Sequence, residues 1–255
     1  MIQKDFFHSL FDDLNIVNGD TLLIATNLKK IIRQLLKKKI KFDSNIFINY
    51  FLNRVGENGT ILFPTYNFAF CEGIDFDYNN TESKMGFITN IALSRADFIR
   101  TKHPIYSFAV SGKYSQDFFQ LNNKGSFDSD SPFAMLERVN AKMLLVDVDY
   151  QNSFTFVHYV EECNSVSYRY NKNFEANYIN PNGIKKSEIY SMFVRNENVQ
   201  TNVNPIGEIL ENCDVSKYKI IDELETRLID LNKSFKIISQ DINENCAKNL
   251  YIEKI

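Results

Sequence analysis

Short apolar segments separated by helical patterns limit the fold of this chain more strongly than any other feature. Residues 21–25 and 60–63 form two such segments, and they follow the turn sequences Asn18-Gly19-Asp20 and Asn58-Gly59. The residues between them carry two helical patterns, the second over about residues 44–54. Short buried strands joined by helices are typical of a sheet that is covered on both faces. The pattern therefore predicts an α/β fold.

Further strands and helices follow toward the C-terminus. The clearest buried strand is KMLLVDV, residues 142–148, and residues 107–111 alternate like another strand. Helices are predicted over residues 5–14, 87–98, 133–139 and 154–163. The turn sequence Asn180-Pro181-Asn182-Gly183 predicts a β-hairpin. Beyond it we expect a helix over residues 219–231 and a short strand over residues 235–238.

The composition is that of an ordinary globular protein and disfavours several classes. Charged residues make up 24% of the chain and the net charge is -3, whereas a general nucleic-acid-binding protein is expected to be basic. No stretch approaches the roughly 18–20 apolar residues of a membrane span. The acidic N-terminal segment also lacks the apolar core of a secretory signal. Because no linker or change of composition divides the chain, we expect one domain over residues 1–255.

Cysteine usage and short motifs narrow the chemistry further. The four cysteines lie far apart and show neither C-x-x-C nor zinc-site spacing, so we expect no metal site and a reduced, cytoplasmic protein. The chain lacks the G-x-G-x-x-G, Walker, G-x-S-x-G and H-E-x-x-H patterns. A Rossmann dehydrogenase, a nucleotide hydrolase and a serine hydrolase of the usual type are therefore disfavoured.

Only three histidines are available for chemistry that needs an imidazole. His8 lies on a predicted surface helix, where a solvated side chain is the expected state. His103 precedes a proline that holds its backbone extended, and a structural role is as plausible for it as a role in a site. His158 follows the clearest strand and has two acidic neighbours, Glu161 and Glu162. It is a candidate for catalysis, although a structural role stays open on these grounds alone.

Six segments occur in an order that is difficult to explain by chance. They are GDTLLIATNL (residues 19–28), GTILFPTY (59–66), SKMG (83–86), HPIYS (103–107), SPF (131–133), and LLVDV (144–148) followed by TFVHYVE (155–161). Together they resemble the family of aminoglycoside 3-N-acetyltransferases over about residues 19–162. Members of that family transfer an acetyl group from acetyl-coenzyme A to an amine on a sugar or aminocyclitol. The resemblance implies acetyl-coenzyme A as acyl donor and a single α/β domain with a mixed central sheet and helices on both faces.

The resemblance assigns the role of general base to His158. A sugar amine is mostly protonated at pH 7 and must lose a proton before it attacks a thioester, which suits an imidazole. Glu208 is the best positional match for the family's glutamate, which orients the imidazole, and a solvated helix residue is the alternative. The family usually carries an aspartate shortly before the histidine, where this chain has Asn152. Asn152 can orient the ring but cannot balance its charge, so Asp149 and Glu161 are alternative candidates.

The resemblance also assigns residues to coenzyme A. Asn27, Leu28 and Lys29 fall at the phosphate end, where the start of a helix offers free N–H groups and a positive dipole end. Four further residues line the pantetheine and thioester in the same assignment: Thr65, Ser83, Met85 and Gly86. Ser107 is expected near the acyl group. Packing within a loop is the alternative role for the residues on the pantetheine.

A long irregular segment over residues 65–82 is the main candidate for binding the acceptor. Its carboxylates, with Asp128 and Asp130 of the next loop, would suit a cationic amine, and its aromatic rings would stack on a sugar or nucleobase. Solvation and ordinary packing are the alternatives. The candidate acceptor residues are Tyr66, Glu72, Asp75, Asp77, His103 and Tyr106.

One departure from the family bears on the acceptor. Tyr106 stands where the family carries a second histidine. This change favours a biosynthetic acceptor, namely a nucleotide-linked amino-deoxysugar destined for a surface glycan. An aminoglycoside, with antibiotic resistance as the outcome, is the alternative acceptor.

Functions of other classes stay open at this point. The protein could bind acyl-coenzyme A or a partner without catalysis. It could also be a hydrolase that uses Ser107 or Ser131, although neither serine lies in a nucleophile-elbow pattern. A homodimer, paired through the hairpin near Asn182, is a further expectation, and no nucleic-acid or membrane partner is expected.

Overall fold

The computed structural model describes residues 3–254 as an alternation of helices and strands. The first half contains α1 (Gln3–Phe11), β1 (Thr21–Thr26), α2 (Lys29–Lys37), α3 (Ser44–Val55), β2 (Thr60–Pro64), β3 (Phe76–Asp77), α4 (Phe87–Ser94), β4 (Ile99–Arg100), β5 (Phe108–Gly112) and α5 (Ser115–Gln120). The second half contains α6 (Pro132–Arg138), β6 (Lys142–Val146), α7 (Tyr150–Ser153), α8 (Phe156–Cys163), β7 (Arg169–Ile179), β8 (Lys185–Arg195), β9 (Val199–Thr201), α9 (Asn204–Asn212), β10 (Ser216–Ile221), β11 (Leu224–Asp230), α10 (Leu231–Asn245) and β12 (Tyr251–Glu253). Within residues 3–254, no helix is long and apolar enough to cross a membrane.

Seven strands form one mixed sheet in the order β10-β11-β6-β1-β2-β5-β4. The three central strands, β6, β1 and β2, are parallel, and the other neighbours pair antiparallel. The carboxyl ends of the three central strands therefore lie at the same edge of the sheet. Two smaller sheets join β3 to the β7–β8 hairpin and β9 to β12.

Apolar side chains fill both faces of the large sheet, which confirms the predicted cover by helices on both sides. Alternate residues of β1 point to opposite faces, so Leu23 belongs to one core while Leu22 and Ile24 belong to the other. The first core is closed by α6, α8, α9 and α10, and the second by α1, α2, α3 and α4. The loops that follow β1 and β2 leave the sheet at the edge formed by the carboxyl ends of its parallel strands.

Two predictions for the C-terminal part are wrong. The segment predicted as a helix over residues 219–231 forms the antiparallel hairpin of β10 and β11. Its turn residues Asp222 and Glu223 adopt left-handed φ angles of 47° and 69°, without the Gly or Asn that usually signals such a turn. The short strand predicted over residues 235–238 lies inside α10, whose start is capped by the Asp230 side chain.

Two other predictions concern segments on either side of the site. The hairpin predicted at residues 180–183 is present, and its two strands pair in register from Arg169 opposite Arg195 to Ile179 opposite Lys185. The helix predicted over residues 87–98 is shorter than expected. It ends at Ser94 because the next residue adopts an extended backbone.

Candidate active site

A pocket of about 270 Å³ lies at the carboxyl ends of the parallel strands β1 and β2. Open α/β sheets commonly bind their ligands at this edge. The wall includes Thr26 at the end of β1, Pro64 at the end of β2, Met85 and Thr89 around the start of α4, and His158 of α8. The sequence therefore brings residues from four separate elements to one cavity.

A second pocket of about 560 Å³ adjoins the first. The two pockets share three lining residues, Phe68, Tyr106 and His158. The remaining wall of the second pocket comes from the start of β7, the end of β8 and the turn after it, β9, and Lys254 after β12. His158 therefore faces both pockets, which is the position that a group needs in order to act on two bound molecules.

A buried carboxylate orients His158. The Nδ1 atom of His158 lies 2.6 Å from Oε2 of Glu161, and the two residues are three apart on α8, where side chains share one side of a helix. Because a carboxylate only accepts hydrogen bonds, this contact assigns the Nδ1 proton to the histidine and leaves Nε2 with its lone pair. About 20% of the His158 side chain is exposed, whereas Glu161 is fully buried.

Two further side chains hold Glu161 in place. Tyr168 donates its hydroxyl hydrogen bond to Oε1 at 2.8 Å, and Nε of Arg169 forms an ion pair with Oε2 at 2.7 Å without the alignment of a hydrogen bond. The guanidinium of Arg169 also donates to the Phe193 carbonyl and to Oγ1 of Thr201. Glu161 is therefore a fully buried carboxyl group that cannot turn away from His158 without breaking these contacts.

The environment of His158 favours the neutral imidazole. Burial and the nearby charges of Arg169 and Arg195 lower the pKa of His158, while Glu161 opposes them and raises it. The net effect is a pKa below the ordinary value of 6.5. At pH 7 the ring is therefore mostly unprotonated, as a general base must be.

Glu208 does not occupy the place that the sequence resemblance assigns to it. It is exposed on α9, and within residues 3–254 the carboxylate in contact with His158 is Glu161. Asn152 does line the first pocket beside His158. Its amide donates to Oδ1 of Asp149 at 2.7 Å, and Asp149 also accepts from the Asn152 backbone at the start of α7. Asp149 therefore caps a helix, and Asn152 is the member of this pair that reaches the pocket.

The S-x-M-G segment places one of its residues in the first pocket. Met85 lines the cavity, and Gly86 adopts a φ of 112° where the chain turns into α4. Ser83 is buried, and its Oγ accepts hydrogen bonds from the Met85 backbone at 3.1 Å and from the Thr89 hydroxyl at 2.7 Å. Ser83 and Gly86 therefore shape the turn that presents Met85.

Thr65 and Ser107 lie together but away from the surface of the pockets. Both are fully buried, and their hydroxyl oxygens are 2.8 Å apart. Arg100 donates from Nε to the Ser107 Oγ at 3.0 Å, so this hydroxyl is held from two sides. Neither residue lines either pocket, because the neighbouring Pro64 and Tyr66 face the cavity instead.

The segment assigned to the phosphate end follows β1 directly. Oδ1 of Asn27 accepts from the Lys29 backbone at 3.1 Å, Leu28 is buried, and the Lys29 side chain is exposed at the start of α2. The adjacent Lys30 is paired with Asp147 at 2.6 Å. Asn27 therefore stabilises the start of α2, and Lys29 is the cation of this segment that stays available.

Two of the predicted acceptor residues line the cavities. Tyr66 lines the first pocket and Tyr106 lines both, and their rings meet edge to face with centroids 4.8 Å apart. His103 is buried behind them and lines neither pocket. Its Nδ1 accepts from the backbone N–H groups of Ile105 and Tyr106, and burial lowers the pKa of His103 to about 3. His103 is thus a neutral residue that fixes the turn before β5.

The predicted acidic residues face away from the pockets. Glu72 is exposed, Asp75 pairs with Lys185 at 2.6 Å, and Asp77 accepts from the backbone of the turn that follows it. Asp128 accepts from the Gly125 backbone at 2.7 Å. None of these four lines either pocket. The β7–β8 hairpin pairs with β3 of the loop, and its Lys185 forms the ion pair with Asp75.

Several lining residues have no signal in the local sequence. These are Arg169, Arg195 and Lys254, and all three line the second pocket. Arg169 and Arg195 lie on β7 and β8, Lys254 follows β12, and all three lie beyond residues 19–162, which carry the family motifs. The described residues, 3–254, contain no group of three or more His, Cys, Asp or Glu side chains arranged to hold a metal ion.

Comparison with solved structures defines the fold class. The YokD protein of Bacillus subtilis superposes with a TM-score of 0.78 at 19% identity, over 94% of this chain and 98% of that one. An AAC-IIIb structure described as a binary complex with CoASH gives 0.78 at 13%, over 96% and 97%. AAC-VIa bound to sisomicin gives 0.77 at 15%, over 96% and 98%. The fold is that of the aminoglycoside acetyltransferases.

The sequence identifies the family directly. The family model described as aminoglycoside 3-N-acetyltransferase matches residues 36–242, and the chain belongs to that family. The family consists of acetyl-coenzyme A-dependent N-acetyltransferases, so the predicted enzyme class and acyl donor are confirmed. No curated protein matches the sequence of this chain.

Proposed function

We propose that this enzyme acetylates the amine of an amino sugar, with His158 as the general base. The observation that carries the proposal is the position of His158 between two pockets, with Nδ1 held by the buried Glu161 and Nε2 left for a substrate. The lowered pKa of His158 supplies the unprotonated imidazole that the reaction needs.

The protein's contribution to each step follows from this geometry. The amine reacts in its neutral form, after the ammonium has released one proton to solvent. Nε2 of His158 takes a second proton from the nitrogen as it attacks the thioester carbon and the C–N bond forms. Glu161 stabilises the imidazolium that results, since its charge lies 2.6 Å from Nδ1. When the tetrahedral intermediate collapses, the C–S bond breaks and the leaving sulfur takes the proton from Nε2. The products are the amide and free coenzyme A, and His158 is neutral again.

We assign the first pocket to the acyl donor. Its wall combines apolar side chains such as Ile24 and Ile88 with the Thr26 hydroxyl, which suits a pantetheine chain with its amide groups. Oγ1 of Thr26 is buried and has no hydrogen-bond partner among the described residues, so it is free to bond the donor. Since α2 begins three residues later, a donor bound here would point its phosphates toward Lys29.

We assign the second pocket to the acceptor and propose a nucleotide-linked amino-deoxysugar destined for a surface glycan. A polycationic antibiotic needs a pocket rich in carboxylates, yet the only acidic lining residue of this pocket within residues 3–254 is Glu197. The aromatic residues Phe68 and Tyr106 offer faces for a sugar ring. An aminoglycoside is the second candidate, because a structural neighbour of this chain is described as bound to sisomicin.

Release of free thiol from acetyl-coenzyme A, across aminoglycosides and nucleotide-linked amino sugars, tests this proposal. We expect release with an amino-deoxysugar. Release only with kanamycin-type compounds would instead make the protein a resistance enzyme. No release with any amine, while coenzyme A still raises the melting temperature, would favour the non-catalytic binding protein.

A hydrolase with a serine nucleophile loses support from the geometry. The Ser107 hydroxyl is buried and held by Thr65 and Arg100, and the Ser131 hydroxyl caps α6, so neither is free to act as a nucleophile. The homodimer and the cytoplasmic location stay predictions.

A further inference from the structure

The second pocket carries cations that the proposed chemistry does not use. Arg169 is engaged by Glu161, but Arg195 and Lys254 also line the pocket. Within residues 3–254, neither of these two side chains forms an ion pair. The polar contact of Lys254 is a hydrogen bond from Nζ to the Glu197 carbonyl at 3.3 Å. Both cations are exposed at the rim and available to a ligand.

Strand pairing places two of these cations directly opposite each other. Arg169 and Arg195 are partners in the antiparallel β7–β8 ladder. Like charges at facing positions of a hairpin are destabilising, and Glu161 offsets only the charge of Arg169. An anion beside Arg195 would remove the remaining repulsion. A bound acceptor that brings such an anion would therefore be favoured at this end of the hairpin.

Backbone contacts bring Lys254 to the same rim. β12 pairs with β9, which begins four residues after Arg195. The backbone N–H of Lys254 donates to the Asn198 carbonyl at 2.8 Å, which fixes the chain at this point. Arg195 at the end of β8 and Lys254 just after β12 therefore line the same pocket.

We infer that Arg195 and Lys254 form a subsite for a phosphate group of the acceptor. The inference rests on the proposed function, because it takes the amine of the same molecule to lie at His158. Arginine presents a planar fork that matches phosphate oxygens, and lysine adds a point charge. Arg195 and His158 line the same pocket, so a phosphate at Arg195 and an amine at His158 can belong to one small molecule. The same charges disfavour a polycationic amine.

The test uses one amino sugar in three forms: its methyl glycoside, its 1-phosphate and its UDP conjugate. Thiol release gives kcat and KM for the full-length protein and for Arg195→Gln and Lys254→Gln. Lys186→Gln is the matched control, since Lys186 is exposed on β8 and lines neither pocket. We expect each pocket variant to raise KM for the phosphorylated forms about tenfold, with kcat within about twofold, because a charge-assisted contact is lost. The constants are measured at pH 8, where burial still keeps His158 unprotonated once the charge of Arg195 is removed. Under that condition KM for the methyl glycoside, which carries no phosphate, and all constants of the control stay unchanged.

The outcomes separate the subsite from the proposed function. Preference for the UDP conjugate over the 1-phosphate identifies a nucleotide sugar, and equal use of both identifies a sugar phosphate; both support the subsite. Equal KM values of the wild-type protein for all three forms overturn the subsite. It is also overturned if the pocket variants raise KM for acetyl-coenzyme A and leave KM for the acceptor unchanged. In either case transfer to the methyl glycoside leaves the proposed function standing. Absence of transfer to every amine overturns both.

Discussion

Replacement of Glu161 by glutamine keeps the size of the side chain and removes its charge. The wild-type carboxylate is fully buried and contacts His158 at 2.6 Å, Arg169 at 2.7 Å and Tyr168 at 2.8 Å. The amide of Glu161→Gln cannot balance the imidazolium that forms during proton transfer. It also leaves Arg169, whose side chain is 6% exposed, without its ion-pair partner.

The expected loss follows from these contacts. Hydrogen bonds to charged groups contribute about 1.5–3 kcal/mol, so kcat should fall by roughly 10- to 150-fold. Breaking a buried ion pair destabilises a protein by about 3–5 kcal/mol, so the free energy of unfolding should fall as well. Because Glu161 raises the pKa of His158, the variant should also move the acidic limb of the kcat/KM profile to lower pH.

Steady-state thiol release from pH 5 to 8 and urea unfolding measure these effects. Glu162→Gln is the matched control, because Glu162 is the next residue of α8. Its carboxylate accepts a hydrogen bond from the Asn171 amide and does not contact His158. We expect the control to keep kcat within about twofold, as for changes outside the reacting groups. A folded Glu161→Gln protein with wild-type kcat and an unmoved pH profile would refute the role of Glu161.

Two further predictions concern stability. His103 has a pKa of about 3 in the folded protein against an ordinary 6.5, so only the unfolded chain takes up its proton as the pH falls. The free energy of unfolding should therefore drop by about 2 kcal/mol from this residue between pH 8 and pH 5. His103→Asn keeps an acceptor for the Tyr106 backbone and should show a shallower slope by urea titration; an unchanged slope contradicts the assignment. Gly207→Ala puts a Cβ 2.1 Å from the Tyr150 ring, which is held by hydrogen bonds to Glu211 and Ser216. We expect a loss of about 1–3 kcal/mol, whereas the exposed Glu208→Ala should change stability by less than about 0.5 kcal/mol and leave kcat intact. Equal melting temperatures for these two variants would contradict the packing argument.

The central strands are predictable because their patterns are local. The apolar runs of β1, β2 and β6 are buried on both faces, and this is what a continuous apolar segment between turns indicates. The β10–β11 hairpin is not predictable in the same way. Its turn pairs Asp222 with Glu223 and has neither Gly nor Asn, so the local signal that separates the two strands from a helix is weak.

The site is predictable where its residues are close along the chain. His158 and Glu161 are three apart on one helix, and that spacing places both on the same side. Glu208 lies in a region where the resemblance to the family is weak, and the structure places it on the exposed side of α9. Arg195 and Lys254 line the same pocket through the pairing of strands that are distant in sequence, so no local pattern indicates them.

Replacement of His158 by alanine tests the central claim most directly. The measurement is kcat for thiol release on the best acceptor, together with the dissociation constant of coenzyme A by calorimetry. If His158 is the general base, kcat should fall by about 10²- to 10⁴-fold while coenzyme A binds as tightly as before. A His158→Ala protein that acetylates its acceptor at the wild-type rate would contradict the account.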